Sequence, residues 1–266
     1  MKHSKTSTGD FERVLILSDL HGPFLDSRCW KIVLNVIGDW KPDTIILNGD
    51  VADFSQISRH DRKIRFKGGE YDVPWDLYEE IMFIRHQILD PLRKAAGKAK
   101  IIFRKGNHEQ RWDDIAASNP GALEEMLVTA RRLQSFELPD ILQFKKFVIT
   151  YDPKPIMLLH DLFTVIHGVK TSKMAPRDNL RLFGSGTSGH THRLGVWTDV
   201  MHGKLQGWFE SGCLRNIDDV EYLPFGSAPD WGNGFLTLYI NKKRFFCNTH
   251  MIIGRQCVFN GKTYTA

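Results

Sequence analysis

The 266-residue chain has only four cysteines, and no two of them form a CxxC pair. This scatter is typical neither of a cysteine-ligated zinc site nor of a disulfide framework. We therefore expect reduced thiols with a structural role at Cys29, Cys213, Cys247 and Cys257.

Long apolar runs are also absent. No window approaches the run of about 18 apolar residues that a transmembrane helix needs, and the polar start MKHSKTSTGD lacks the apolar core of a secretory signal. There is no internal repeat, low-complexity tract or convincing linker. We therefore expect a soluble protein with no membrane partner, located in the cytoplasm, or in the host cytoplasm if a phage encodes it. The length predicts a single domain over residues 1–266.

Charge of one sign is only slightly in excess. Lys and Arg number 36 against 31 Asp and Glu, which gives a formal net charge of +5. This balance allows a polyanionic substrate or nucleic acid as a partner, but it does not select one. The 42% of hydrophobic and 25% of charged residues are typical of a globular protein, and they argue against disorder and fibrous repeats.

Short apolar runs that end in polar residues predict strands buried on both faces of a sheet. They cover residues 14–22, 44–50, 101–109 and 163–168. Between them, residues 27–39 and 76–96 have apolar positions at helical spacing. Asp76 is a plausible N-cap of the second helix, and Pro91 is expected to kink or end it. The alternation of strands and helices predicts a layered α/β domain.

After about residue 195 the sequence changes to short strand-like segments with Gly and Asn turns between them. This pattern predicts antiparallel or mixed pairing in the C-terminal part. Two stretches interrupt the earlier alternation, and we predict that they form cap-like insertions. They are a basic loop at about residues 54–75 and a partly helical segment at about residues 111–147.

Side chains that can bind metal ions collect where the predicted strands end. In chain order they are Asp19, His21, Asp50, Asn107, His108, His167, His190 and His192. The carboxyl ends of strands meet at the ligand crevice of an open α/β sheet, so distant residues can form one site. A strand or its extension directs residues i and i+2 to one side. We therefore expect Asp19 and His21 to face one cavity, and His190 and His192 to do the same.

The motifs DxH, GD, GNHE, HG and GHTH begin, in this order, at Asp19, Gly49, Gly106, His167 and Gly189. The series resembles the calcineurin-like metallophosphoesterase superfamily over about residues 14–195. The resemblance implies a four-layer αββα sandwich, in which helices flank two mixed sheets and metals lie at the C-terminal ends of the strands.

The resemblance also implies two divalent metal ions. The ligands would be Asp19, His21 and His192 for one ion, Asn107, His167 and His190 for the other, and Asp50 as the bridge. Oxygen and nitrogen donors without a thiolate favour Mn²⁺, with Fe or Zn as alternatives. Two such ions lower the pKa of a shared water toward neutrality and supply hydroxide for in-line attack on phosphorus.

Two further residues would take part in catalysis by the same resemblance. His108 would act as the general acid or hold the phosphate. Asp53 matches the GDxxD motif of the protein-phosphatase branch, in which this carboxylate orients the acid histidine. That branch continues with Arg-Gly, whereas this chain has Phe54 and Ser55, so we do not expect protein phosphatase activity. The motifs are closer to those of stand-alone phosphoesterases common in phage and bacterial genomes.

Basic residues near these motifs could bind the substrate phosphate. They are Arg59 and Arg111, with His60, Arg104 and Arg193 as further candidates. Glu109 either caps the helix that follows it or supports the metal ligands from behind.

The predicted function is hydrolysis of a phosphate mono- or diester, with a small or nucleotide-like ester as substrate. The alternative is a metal-dependent nuclease or nucleic-acid end-processing phosphatase, which the net charge and the basic 59–67 loop suggest. A third hypothesis is a non-catalytic binding scaffold. Such a protein is expected to have lost metal ligands, whereas none is missing here. The oligomeric state is left open.

Overall fold

A computed structural model of the chain describes residues 11–58, 75–114, 120–201, 203–218 and 230–266. The first sheet consists of β1 (Glu12–Leu17), β2 (Thr44–Asn48), β3 (Lys100–Arg104), β4 (Ile149–Asp152), β10 (Gly234–Ile240) and β11 (Phe245–Met251). Their order across the sheet is β11-β10-β1-β2-β3-β4. The first four are parallel to one another, whereas β10 and β11 pair antiparallel, so the sheet is mixed.

The second sheet contains β5 (Ile156–Leu159), β6 (Phe163–Ile166), β7 (Gly186–Ser188), β8 (Leu194–Met201) and β9 (Lys204–Ser211). The strand order is β5-β6-β7-β9-β8, with the central three parallel and both edge strands antiparallel. A separate hairpin joins β12 (Gln256–Phe259) to β13 (Lys262–Thr265). The C-terminal part therefore has the antiparallel and mixed pairing that its turn-rich pattern predicts.

The helices are α1 (Ser27–Trp40), α2 (Leu77–Phe83), α3 (Asp90–Ala96), α4 (Asn107–Asp114), α5 (Pro120–Leu133), α6 (Leu138–Ile141), α7 (Phe144–Phe147) and α8 (Ala175–Phe183). Asp76 caps α2 as predicted, in a reciprocal capping box with Glu79. Among the described residues, no helix combines the length and the apolar character that a membrane crossing requires.

Alternate residues of the central strands face two different cores. In β1, Val14 belongs to an apolar cluster between the two sheets, whereas Leu15 belongs to the cluster under the helices on the outer face of the first sheet. This alternation follows from the two-residue period of a strand. On the far side, Trp208 of β9 packs with Leu180 of α8. The layers are therefore helix, sheet, sheet and helix, which confirms the predicted four-layer α/β fold.

The helix predicted over residues 76–96 forms, but it continues past Pro91. A π-helical segment, Ile84–Leu89, joins α2 to α3. A proline has no N–H to donate to the carbonyl four residues earlier, here that of Gln87. The indole N–H of Trp30 donates to this carbonyl at 2.9 Å. The neighbouring helix α1 therefore satisfies the acceptor that Pro91 leaves free.

The two predicted insertions differ in how much of them is described. Residues 59–74 of the basic loop lie outside the described residues. In the other segment, the helices α5 to α7 bury side chains such as Met126, Ile141 and Phe144 in the same apolar cluster as the first sheet. This helical segment is thus packed on the main core.

Polar side chains join the two sheets at the edge where their parallel strands end. Arg104 donates through Nη1 to the carbonyl of Val165 at 2.6 Å. Asn48 donates through Nδ2 to the carbonyl of Ile166 at 2.7 Å. Because Arg104 is only 1% exposed, it is a structural residue, and its proposed role in binding substrate phosphate is wrong.

Candidate metal centre

The loops at this edge bring the predicted metal ligands together. Among the residues that the structure describes, three groups of side chains have ligand atoms within 4.8 Å of one another. They are Asp19, His21 and His192; His21, Asp50 and His108; and Asp50, His167 and His190. The first group coincides with one predicted ligand set, the third contains most of the other, and Asp50 belongs to two of the three groups.

The backbone at these ligands is left-handed rather than extended. Positive φ angles occur at Asp19 (57°), His21 (51°), Asp50 (52°), His190 (67°) and His192 (57°). Asp19 and His21 belong to one ligand group, whereas His190 and His192 belong to two different groups. The extended strand inferred from the sequence at these positions is wrong. Left-handed backbone at non-glycine residues costs about 1 kcal/mol each, and such strain tends to cluster at functional sites.

The first ligand group is almost fully buried. Nε2 of His21 lies 3.0 Å from Nε2 of His192, and the latter lies 3.3 Å from Oδ1 of Asp19. Two nitrogen ligands at about 2.1 Å from one cation and at right angles to each other are about 3.0 Å apart. The spacing of the two imidazoles therefore fits a shared metal ion.

The third group contains His167, and Asn107 lies beside it. Nε2 of His167 lies 3.0 Å from Oδ2 of Asp50 and 3.0 Å from Oδ1 of Asn107. Nδ1 of His190 lies 2.7 Å from the same Asn107 oxygen. Nδ1 of His167 donates to the carbonyl of Asn48 at 2.8 Å, which leaves Nε2 as the donor atom for a metal. Asn107 thus lies with the ligands that the sequence assigned to the same ion.

The electrostatics of the centre favour positive charge. Burial alone would lower the pKa of His167, but the negative charges of Asp50 and Asp19 outweigh burial and raise this pKa to about 10. Burial would raise the pKa of Asp50, yet the positive charges of His167 and His108 hold it well below its usual value. Asp50 and Asp19 therefore favour a positive charge at His167, whereas burial, with smaller effects of His108 and His192, lowers the pKa of His21 to about 4.

Asp53 lies behind the first ligand group. Its Oδ1 accepts a hydrogen bond from Nδ1 of His21 at 2.8 Å, which directs Nε2 of that ring into the centre. Nδ1 of His108 lies 2.7 Å from the carbonyl oxygen of Asp53 and 3.4 Å from its carboxylate. The carboxylate therefore orients the ligand His21 directly, and the main chain of Asp53 orients His108.

Glu109 holds the loop that carries Asp50. Its buried carboxylate accepts hydrogen bonds at 2.8 to 2.9 Å from the backbone N–H groups of Asp50, Val51, Ala52 and Gly106. The bond from Gly106 is a helix-capping contact, because this glycine immediately precedes α4. The two alternatives for Glu109 thus describe one arrangement, which caps the helix and supports the ligands.

Glu80 is a supporting residue that the sequence reasoning missed. From α2 it accepts hydrogen bonds from the backbone N–H groups of Asp53 at 2.6 Å and Phe54 at 3.0 Å. Burial and the nearby Asp53 raise its pKa to about 7. The sequence did contain a sign that Glu80 is buried: it lies in the apolar stripe of α2, where Leu77 and Ile81 are also buried.

The remaining cationic candidates differ in their positions. Arg111 donates to the Asp53 carbonyl at 2.8 Å, and its Nη2 lies 3.4 Å from Nε2 of His108. Arg193 donates instead to the carbonyl of Ser172 at 2.7 Å. Arg59 and His60 lie outside the described residues. Arg111 is therefore the candidate placed next to the predicted general acid.

Two glycines are required by close approach to the ligands. A Cβ on Gly106 would overlap the side chain and the backbone nitrogen of Asp50. A Cβ on Gly189 would lie 2.5 Å from Oδ2 of Asp19 and 2.7 Å from Cβ of Ser18. At these positions glycine leaves room for the carboxylates.

Gly106→Ala is expected to displace Asp50, to weaken metal binding and to lower the free energy of unfolding by about 1–3 kcal/mol through overpacking. Gly38→Ala, within α1, is the matched control, because a Cβ there has no neighbouring atom within 4 Å. It should raise this free energy by about 0.5–1 kcal/mol. Denaturant unfolding with and without Mn²⁺ measures both. Equal effects of the two substitutions would contradict the role given to Gly106.

Comparison with known proteins finds two phage relatives. The gene 54 protein of Mycobacterium phage L5 is 25% identical in an alignment of length 265, which covers 95% of this chain and 98% of the relative. The gene 54 protein of Mycobacterium phage D29 is 28% identical in an alignment of length 242, which covers 86% of this chain and 89% of the relative. Among solved structures, Vps29 of Entamoeba histolytica complexed with Zn²⁺ aligns with a TM-score of 0.43 and 14% identity, over 94% of this chain and 95% of that one.

A family model described as calcineurin-like phosphoesterase matches residues 12–230. The match covers most of the chain and includes every predicted metal ligand, from Asp19 after β1 to His190 and His192 after β7. The chain therefore belongs to the calcineurin-like phosphoesterase family.

Proposed function

We propose that the chain is a binuclear metal-dependent hydrolase of phosphate mono- or diesters. The observation that carries the proposal is a chain of three ligand groups without a thiolate, in which His21 joins the first to the second and Asp50 joins the second to the third. Groups linked in this way suit two adjacent cations better than one. The nearby His108 adds the acid–base group that ester hydrolysis needs.

In this proposal the ligands of the two ions are those that the sequence assigned. They are Asp19, His21 and His192 for one ion, His167, His190 and Asn107 for the other, and Asp50 between them. When bound, two divalent cations stabilise charge on the phosphoryl oxygens and lower the pKa of a water molecule toward neutrality. The oxygen and nitrogen donors favour Mn²⁺, with Fe or Zn as alternatives.

The protein's own contribution is to fix the ligands before substrate binds. The Asp53 carboxylate and the Asn48 carbonyl accept the Nδ1 protons of His21 and His167. Each bond selects the ring tautomer whose Nε2 faces the centre. Little reorganisation is then needed when the phosphate arrives.

His108 and Arg111 act on the substrate side. Because Nδ1 of His108 bonds to the Asp53 carbonyl, Nε2 faces the centre, 3.8 Å from Oδ2 of Asp50. From there His108 donates a proton to the departing oxygen of the ester. Arg111, beside the same nitrogen, binds a phosphate oxygen.

The test combines metal content with turnover. Protein reconstituted with Mn²⁺ is expected to hold two ions per chain by elemental analysis and to hydrolyse p-nitrophenyl phosphate or its bis ester. Parallel reactions contain Fe²⁺ or Zn²⁺. If neither compound is hydrolysed with Mn²⁺, Fe²⁺ or Zn²⁺, the proposal is overturned and a binding scaffold is favoured.

Nucleic acid is a separate arm of this experiment. Supercoiled plasmid and 5′- or 3′-phosphorylated oligonucleotides are incubated over a range of salt concentrations. Cleavage or end dephosphorylation that falls steeply with salt would identify the nuclease alternative. Indifference to DNA and RNA, with retained hydrolysis of small esters, would exclude it.

A further inference from the structure

A cavity of about 600 Å³ opens beside the third ligand group. Asn107 and His167 line it. Its walls are mainly apolar and include Pro155, Ile156, Val169, Leu182 and Phe183. Small-molecule sites commonly measure about 300–1,000 Å³ and combine apolar walls with a few polar groups. The volume is sufficient for the organic part of an ester whose phosphate lies at the metal centre.

One buried amide lines this cavity. Asn179 of α8 is 4% exposed, and among the described residues its side chain makes no hydrogen bond. Buried polar groups normally have partners, and an amide both donates and accepts. A ligand group that presents a donor beside an acceptor would satisfy Asn179.

The charges around the cavity are balanced. The two lysines that line it are both paired, Lys105 with Asp113 at 2.6 Å and Lys170 with Asp178 at 3.6 Å. Among the described residues that line the cavity, each lysine therefore has a carboxylate partner. This balance favours an uncharged ligand moiety.

We infer that the cavity binds the base of a nucleoside phosphate ester. The inference rests on the proposed function for the position of the phosphate. A nucleobase has apolar faces for the walls and a donor–acceptor edge for Asn179. An acyl chain would leave the amide unpaired, which carries a free-energy penalty. A sugar alone would place its hydroxyl groups against apolar side chains.

Asn179→Leu tests the inference, with Asn35→Leu on the exposed face of α1 as the matched control. The substrates are the four ribonucleoside 5′-monophosphates and glycerol 2-phosphate, which lacks a base. Loss of one buried hydrogen bond should raise KM for the preferred nucleotide about 10-fold. Turnover of glycerol 2-phosphate and both melting temperatures should stay near those of the unmodified protein.

A binding measurement keeps this inference separable from the catalytic proposal. The metal-free protein is titrated with the four ribonucleosides, and at least one should bind, with affinity lowered by Asn179→Leu. Leu182→Glu, at a position that is 65% exposed, should also lower it without unfolding the chain. Nucleoside binding without ester hydrolysis would sink only the proposed function. Absence of nucleoside binding, or equal KM changes for both ester classes, would overturn the inference. Preferred binding of octyl phosphate would also overturn it and point to an acyl group.

Discussion

Asp50→Asn is expected to reduce kcat/KM by about 10³-fold or more while the fold stays intact. The amide occupies the same space but has no negative charge and only one oxygen with which to bind a cation. Asp50 is 1% exposed and belongs to two of the three ligand groups, so nearby water cannot replace the lost charge. Hydrolysis of p-nitrophenyl phosphate at saturating Mn²⁺ measures the effect, and elemental analysis should show fewer than two ions per chain.

The matched control is Asp199→Asn, an exposed carboxylate of β8 that belongs to none of the three ligand groups. Metal binding also provides a stability readout. A ligand present at 100 times its dissociation constant stabilises the folded state by about 2.7 kcal/mol. Mn²⁺ should therefore raise the melting temperature of the unmodified protein and of the control, and raise that of Asp50→Asn much less. Two bound ions and unchanged turnover in Asp50→Asn would contradict its role as the bridge.

The position of Asp50 could be predicted because it depends on local rules. It follows β2 directly, and the carboxyl ends of parallel strands share one edge. The same rule places Asn107 after β3 and His167 after β6. A strand buried on both faces is also the clearest short pattern in this sequence. The strands β1, β2, β3 and β6, and the convergence of polar side chains after them, are therefore the features that the sequence predicts best.

The parts that could not be predicted depend on distant neighbours. Arg104 has the position of a phosphate-binding residue in the sequence, but it donates to carbonyls of the second sheet. Glu80 of α2 lies 27 residues after Asp53 in the chain, yet its carboxylate accepts a hydrogen bond from the backbone N–H of Asp53. β7, Gly186–Ser188, is only three residues long and carries no periodic signal of its own. Each of these features becomes visible only when the tertiary packing is known.

The backbone at the ligands illustrates the same limit. Spacing indicated that Asp19 and His21 act together, but it could not reveal the left-handed conformation at both positions. The backbone N–H of His21 donates to the carbonyl of Asp50 at 2.9 Å, and that of Asp19 to Gly49 at 3.1 Å. These bonds between adjacent loops hold the unusual φ angles. A motif thus identifies the ligands, whereas the contacts between motifs fix their geometry.

His108→Ala is expected to lower turnover by about 10²–10⁴-fold, the usual contribution of a general acid, while both metal ions remain bound. His108 differs from the assigned ligand His167 in its distance from Asp50: Nε2 of His108 lies 3.8 Å from Oδ2 of Asp50, whereas Nε2 of His167 lies 3.0 Å from the same oxygen. The loss should depend on the substrate. p-Nitrophenolate leaves without protonation, whereas an alkoxide needs a proton, so glycerol 2-phosphate should be affected more than p-nitrophenyl phosphate.

This substrate dependence separates an acid from a residue that only holds the phosphate. A phosphate-binding role predicts a higher KM and an equal loss for both esters, because the phosphoryl group is the same in each. A proton-donating role predicts a lower kcat and a loss that grows with the pKa of the leaving group. His86→Ala, an exposed histidine of the π-helical segment, is the control and should change neither parameter. Full activity of His108→Ala on glycerol 2-phosphate would refute both roles.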